Sequence, residues 1–152
     1  MARPAKTAQG FRLLTWIGII DQLATDWAKR RLEKRGVTLA QFAILLHMTS
    51  RPHEEHTVSR LAYSFQQPQP GVTKNVQALL ANGSIRDTPH ASDGRVKILS
   101  VTAKGRKLFA AALKDLEPGL ETLFAEWRED EIELLTAQLD RLKKWLDTKG
   151  RA

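Results

Sequence analysis

Residues 57–81 read TVSRLAYSFQQPQPGVTKNVQALLA, and residues 82–105 continue NGSIRDTPHASDGRVKILSVTAKG. In the first stretch Thr57 is suited to cap a short helix with Val58, Leu61, Ala62 and Phe65 on its inner face. Residues 66–71, QQPQPG, form a turn, because neither proline is tolerated in a helix interior. Pro70 suits the first position of the next helix, where its missing N–H is not needed. That helix carries Val72, Val76, Leu79 and Leu80 on a narrow apolar face and ends at Asn82-Gly83. Strands are expected at 85–88 and 96–101, joined by a polar-tipped hairpin.

Helices flank this segment on both sides. Residues 10–35 place Leu13, Ile17, Ile20, Ala24 and Trp27 on one stripe, and Lys29, Arg30, Arg31, Lys34 and Arg35 crowd its C-terminal end, where cations suit the helix dipole. Gly36 is a natural stop, and Thr38 caps a second helix running through Phe42, Leu45, Leu46 and Met48 to Pro52. Residues 53–56, HEEH, read as a polar loop. From 102 to about 127 a helix is expected with Leu108, Ala112, Leu116, Leu120, Leu123 and Phe124 facing inward and a kink at Pro118. The last helix opens on Glu129-Asp130-Glu131 and repeats Ile132, Leu135, Leu139, Leu142 and Leu146 in steps of three and four, a seam for another helix.

The pattern is mainly α with a small β-hairpin wing. It reads as a winged helix-turn-helix in one domain over 1–152, with a central lobe at 37–101 between helical segments at 10–36 and 102–148.

Charge agrees with a polyanionic partner. The 152 residues carry a net +7; residues 1–50 and 51–107 each contribute +5, residues 108–147 contribute −5, and the last five add +2. Cysteine is absent, which fits a reducing cytoplasm and removes thiol redox sensing. No apolar run suits a membrane span and no leader pattern is evident, so a cytoplasmic protein without membrane association is expected. Nothing assembles a nucleophile, a base and an orienting group, and no phosphate-cradling glycine loop occurs, so no enzyme and no cofactor are expected. The His53 and His56 spacing is common loop composition, and no metal is assigned to it.

The exposed residues of the second helix suit a major groove roughly 12 Å wide. Gln69, Asn75 and Gln77 can form paired hydrogen bonds to adenine edges. Lys74 reaches guanine or phosphate, and Thr73 approaches a thymine methyl. The amides near Gly71 offer a phosphate site at the helix start. On the hairpin, Arg95 at the tip and Arg86 and Lys97 on the strands can bring cations to the neighbouring minor groove, with Asp93 orienting Arg95 or fixing the turn.

At this point the residues resemble the MarR family. The resemblance rests on residues 39–42 (LAQF), 72–74 (VTK), 79–85 (LLANGSI), 93–95 (DGR) and 101–105 (VTAKG), and extends over about 10–147. It implies a DNA-binding lobe at 37–101 and helical dimerisation segments at 10–36 and 102–148. The obligate homodimer would be built from the first and last helices, with Leu13, Ile17, Ile20, Ile132, Leu135, Leu139 and Leu142 as the expected contacts. The resemblance further implies a pseudopalindromic double-stranded operator, repression, and often a small-molecule effector, aromatic acids being the first class to test. Three positions depart from the family pattern: the proline-rich turn at 67–71, Asp87 where Arg is common, and Gly94 where a second wing Arg is common. They motivate an alternative, a helical protein-interaction module of the same fold that has lost DNA binding.

Overall fold

The computed structural model describes residues 5–150 and contains six α-helices and one hairpin: α1 (Lys6–Leu32), α2 (Leu39–Ser50), α3 (Val58–Phe65), α4 (Gln69–Ala81), β1 (Ile85–Pro89), β2 (Lys97–Val101), α5 (Ala103–Leu123) and α6 (Glu129–Thr148). Two compact units are distinguished, one ending at Leu116 and the other beginning at Glu117.

In the first unit the local signals act as expected. A 3₁₀ turn, Glu33–Arg35, ends α1, and Gly36 follows at φ 65°, the left-handed conformation that glycine adopts without steric cost. The Thr38 hydroxyl accepts the Gln41 N–H at 3.2 Å while the Gln41 side chain accepts the Thr38 N–H at 3.2 Å, a reciprocal cap on α2. Thr57 caps α3 by accepting the Arg60 N–H at 3.2 Å. Helix α4 begins one residue earlier than the turn reading allows: Pro68 is the N-cap, Gln69 is already helical, and Pro70 takes the second position, where its missing N–H is equally harmless.

The hairpin pairs Ile85 with Val101, Arg86 with Ser100, Asp87 with Leu99, Thr88 with Ile98 and Pro89 with Lys97. His56 is not a solvated loop residue. It is 6% exposed, its carbonyl accepts the Leu99 N–H at 2.8 Å, and the two residues form an antiparallel bridge that gives β2 a second partner beside β1. One bridge residue has no periodicity, so a sequence pattern cannot reveal it.

Two apolar clusters lie within this unit. One joins Ile44, Leu45 and Met48 of α2 to Leu61 and Ala62 of α3, Val72, Val76 and Leu79 of α4, and Ile85 and Leu99 of the hairpin. The other joins Ala28 and Leu32 of α1 to Val37, Phe42, Ala112 and Leu116, with Phe42 and Phe109 stacked at 5.4 Å. Burying these side chains at about 25 cal/mol per Å² is what holds α3 and α4 in a fixed relation.

A polar clasp closes the lobe. Thr102 Oγ1 donates to the carbonyls of Gly83 at 2.6 Å and Ser84 at 3.1 Å, and accepts the Gly105 N–H at 3.0 Å. Gly105 is buried, and a Cβ there would meet the Ser84 carbonyl oxygen at 1.9 Å.

The inward stripe of α5 is shorter than its sequence suggests. Leu116 is 3% exposed, but Leu120 is 40% and Leu123 62% exposed. The helix runs through Pro118 and stops at Leu123, short of the expected Trp127. In the second unit, α6 opens on Glu129, Asp130 and Glu131, and the Arg128 N–H donates to Glu131 at 2.9 Å. No residue of α6 is buried.

Replacing Gly105 with Ala should destabilise the fold by about 3 kcal/mol, because backbone, not a movable side chain, occupies the space. Thr38→Ala should cost about 1 kcal/mol through loss of the cap. Urea denaturation of both variants measures the difference; equal losses would contradict the clasp.

Candidate nucleic-acid interface

Helix α4 shows how one sequence serves two sides. Val72, Val76 and Leu79 are buried. At 100° per residue, Lys74 and Gln77 stand opposite that line, and both are exposed. Thr73 and Asn75 lie on the flanks and are half-buried. Gly71 is exposed, with open space around its Cα. Gln69 is exposed, yet its amide nitrogen donates to the Ser59 hydroxyl of α3 at 3.0 Å. Sequence reasoning did not single out Ser59, which ties the start of α4 to α3. A serine at an ordinary helix position carries no signal for that role.

At the hairpin tip, Arg95 is almost fully exposed (its side chain is 93% accessible), and both its backbone N–H and its Nε donate to Asp93 Oδ1, at 3.1 and 3.2 Å. The backbone N–H of Arg95 and then its guanidinium hold the Asp93 carboxyl below the usual carboxylate range. One carboxylate therefore does both things considered for it: it orders the turn and aims the cation. The pleat places Arg86 and Lys97 on opposite faces of the hairpin, since Arg86 pairs with Ser100 whereas Lys97 shares a face with Leu99 and Asp87. Both are exposed.

A further contact braces the wing. His90, where β1 ends, approaches Glu55 at 3.6 Å through Nε2, and its Nδ1 accepts the Ser92 N–H at 3.0 Å. Tyr63, on the outer side of α3, is 73% exposed and lines a shallow cavity of about 280 Å³ with His47, Ser59 and Arg60. No pattern argument marks such a lone exposed aromatic. His47 is half-buried between His56 at 5.7 Å and Phe65 at 5.4 Å. Among the described residues no group of three or more His, Cys, Asp or Glu is placed to hold a metal ion.

The residues expected at a dimer contact are incompletely covered by this chain alone. Ile20 is 60%, Leu13 48%, Leu135 42% and Leu139 40% exposed, and Ile17, Ile132 and Leu142 are half-buried. Among the described residues no helix is long and apolar enough to cross a membrane.

Comparison with known proteins agrees with this architecture. The MarR family model matches residues 35–96. The chain is 27% identical over 124 residues to the HTH-type transcriptional regulator BilQ of Clostridium symbiosum (strain WAL-14163), spanning 82% of this chain and 77% of that protein. The transcriptional regulator BldR from Sulfolobus solfataricus superposes with a TM-score of 0.80 at 24% identity, over 93% of this chain and 99% of the other. A DNA complex of S. aureus MepR gives a TM-score of 0.75 at 23% identity, over 86% and 94% of the two chains.

Burial first, then the neighbouring Arg51 and His56, depress the His47 pKa below its ordinary value, with Glu54 opposing. The unfolded chain thus takes up the proton more readily than the folded one. Stability held above the ordinary imidazole pKa should decline as pH falls below about 6.5. Melting temperatures of wild type and His47→Gln from about pH 8 to pH 5 should converge at the acid end.

Proposed function

We infer that this chain, a member of the MarR family by its match over residues 35–96, is a sequence-specific double-stranded DNA-binding transcriptional regulator acting as a homodimer, not an enzyme. The observation that carries this reading is the pairing of a slim α4, exposed at Lys74 and Gln77, with an ordered, cation-tipped hairpin in the same compact unit. Lys74 and Gln77 are the base readers. Thr73 and Asn75 make flanking contacts, and the Gly71 amide region meets phosphate. Arg95, oriented by Asp93, enters the adjacent minor groove. Arg86 and Lys97, on opposite faces of the hairpin, serve the two walls of that groove. Gln69, bound to Ser59, contributes as much by fixing the start of α4 as by reaching a base.

The lobe at 37–101 binds DNA, and the segments at 10–36 and 102–148 form the dimer through Leu13, Ile17, Ile20, Ile132, Leu135, Leu139 and Leu142. The large exposed apolar side chains on α1 and, separately, on α6 support that assignment, since apolar surface left in water favours a second copy. A two-fold axis then presents two reader helices to major grooves roughly 34 Å apart on a pseudopalindromic operator. Repression by operator occupancy, in the cytoplasm, with release by a small-molecule effector, completes the proposal. Such an effector must bind one spacing of the reader helices better than the other.

Arg95→Ala should weaken binding to every sequence and reduce the salt dependence by roughly one counterion per subunit. Lys74→Ala or Gln77→Ala should instead cost roughly 1–3 kcal/mol at particular base pairs. Fluorescence anisotropy with operators selected from a random pool tests both, and selected sites without two-fold symmetry would refute the dimer reading.

A further inference from the structure

The last turn of α1 and the 3₁₀ turn after it line a cleft of about 490 Å³ with Arg30, Arg31, Lys34 and Arg35, opposed by Asp115 of α5. Four cations face one carboxylate, a net +3. All four fall within six residues, Arg30 and Arg31 in the last turn of α1 and Lys34 and Arg35 in the 3₁₀ turn. The helix dipole favours cations here, but it amounts to only about half a charge.

Two of the four side chains are already held in place. Arg35 forms two hydrogen bonds to Asp115, at 2.6 and 3.1 Å. Arg31 lies over the Trp27 ring at 4.4 Å and donates to the Trp27 carbonyl at 3.3 Å. Every side chain lining the cleft is charged, so it offers no wall to an aromatic or aliphatic body. Guanidinium groups match phosphate oxygens in paired geometry, and fixing them beforehand lowers the entropic cost of binding.

We propose that this cleft binds a small phosphorylated ligand carrying at least two negative charges, with Arg30 and Lys34 supplying mobile cations and Arg31 and Arg35 held ones. Asp115 occupies Arg35 until a phosphate oxygen replaces it. No residue of α4 or the hairpin lines the site, so it shares no side chain with the surface assigned to DNA and the two can be separated by mutation.

Isothermal titration of the full-length protein at fixed ionic strength, with pyrophosphate, tripolyphosphate, ATP and benzoate, tests the proposal. Saturable binding of the phosphates at one site per chain is expected, with benzoate at least ten-fold weaker. Arg30→Ala with Lys34→Ala should lose ten-fold or more in affinity at an unchanged melting temperature. Asp115→Asn, which removes the competing charge but keeps the shape, should bind several-fold tighter. A combined Lys74→Ala and Arg95→Ala variant should bind the phosphates as wild type does. ATP tighter than tripolyphosphate would identify a nucleotide as the source; equal affinity would identify the phosphate chain itself. The proposal is overturned by absence of saturation, by benzoate of equal affinity, or by loss in the Lys74/Arg95 variant instead of the Arg30/Lys34 one. It is also overturned if the Arg30/Lys34 variant changes only DNA affinity and its salt slope, which would make the cleft a DNA-backbone contact.

Discussion

A single threonine hydroxyl ties together the ends of three elements whose apolar faces share one core. Thr102 Oγ1 bonds the carbonyls of Gly83 and Ser84, where α4 has just ended, and the Gly105 N–H, where α5 has just begun, while the residue before it closes β2. The approach is so close that only a glycine fits at 105. The α4 exit, the hairpin base and the α5 entry are therefore one rigid junction. Apolar packing supplies most of the free energy of the lobe, but it is non-directional; these hydrogen bonds supply the direction.

That rigidity matters because groove recognition is geometric. A reader helix tilted by a few degrees, or a wing displaced by an ångström, loses paired hydrogen bonds that discriminate one base from another. The smaller ties serve the same end. Ser59 holds Gln69 at the start of α4, the His56–Leu99 bridge gives β2 a second partner beside β1, Glu55 approaches His90 at the far end of the hairpin, and Asp93 orders its tip. Each is weak at an exposed site, and together they restrict how α4 and the hairpin can move.

The basic charge has two different settings. On α4 and the hairpin the cations Lys74, Arg86, Arg95 and Lys97 are exposed and stand on separate elements and faces. At the end of α1 four more are gathered beside Asp115. A net charge cannot distinguish these arrangements, because it carries no information on where the charges lie.

By itself the sequence determined the order of the six α-helices and the hairpin, though not the 3₁₀ turn at Glu33–Arg35. Local chemistry decides those features: the Thr38 and Thr57 caps, the left-handed Gly36, and the narrow Val72–Val76–Leu79 face all depend on neighbours within a few residues. It also nominated Lys74, Gln77 and Arg95 among its candidates for groove contacts and Asp93 as the residue that orients Arg95 or fixes the turn, readings that follow from residue type and short spacing. Only the tertiary structure decided that His56 is a strand partner, that Gln69 is tied to Ser59, that Arg86 and Lys97 leave opposite faces of the hairpin, and that Arg35 pairs with Asp115 eighty positions away. Each of those is a relation between residues distant in the chain or across a pleat. Such relations come into being only when the core brings separate segments together, and no periodicity along one segment records them.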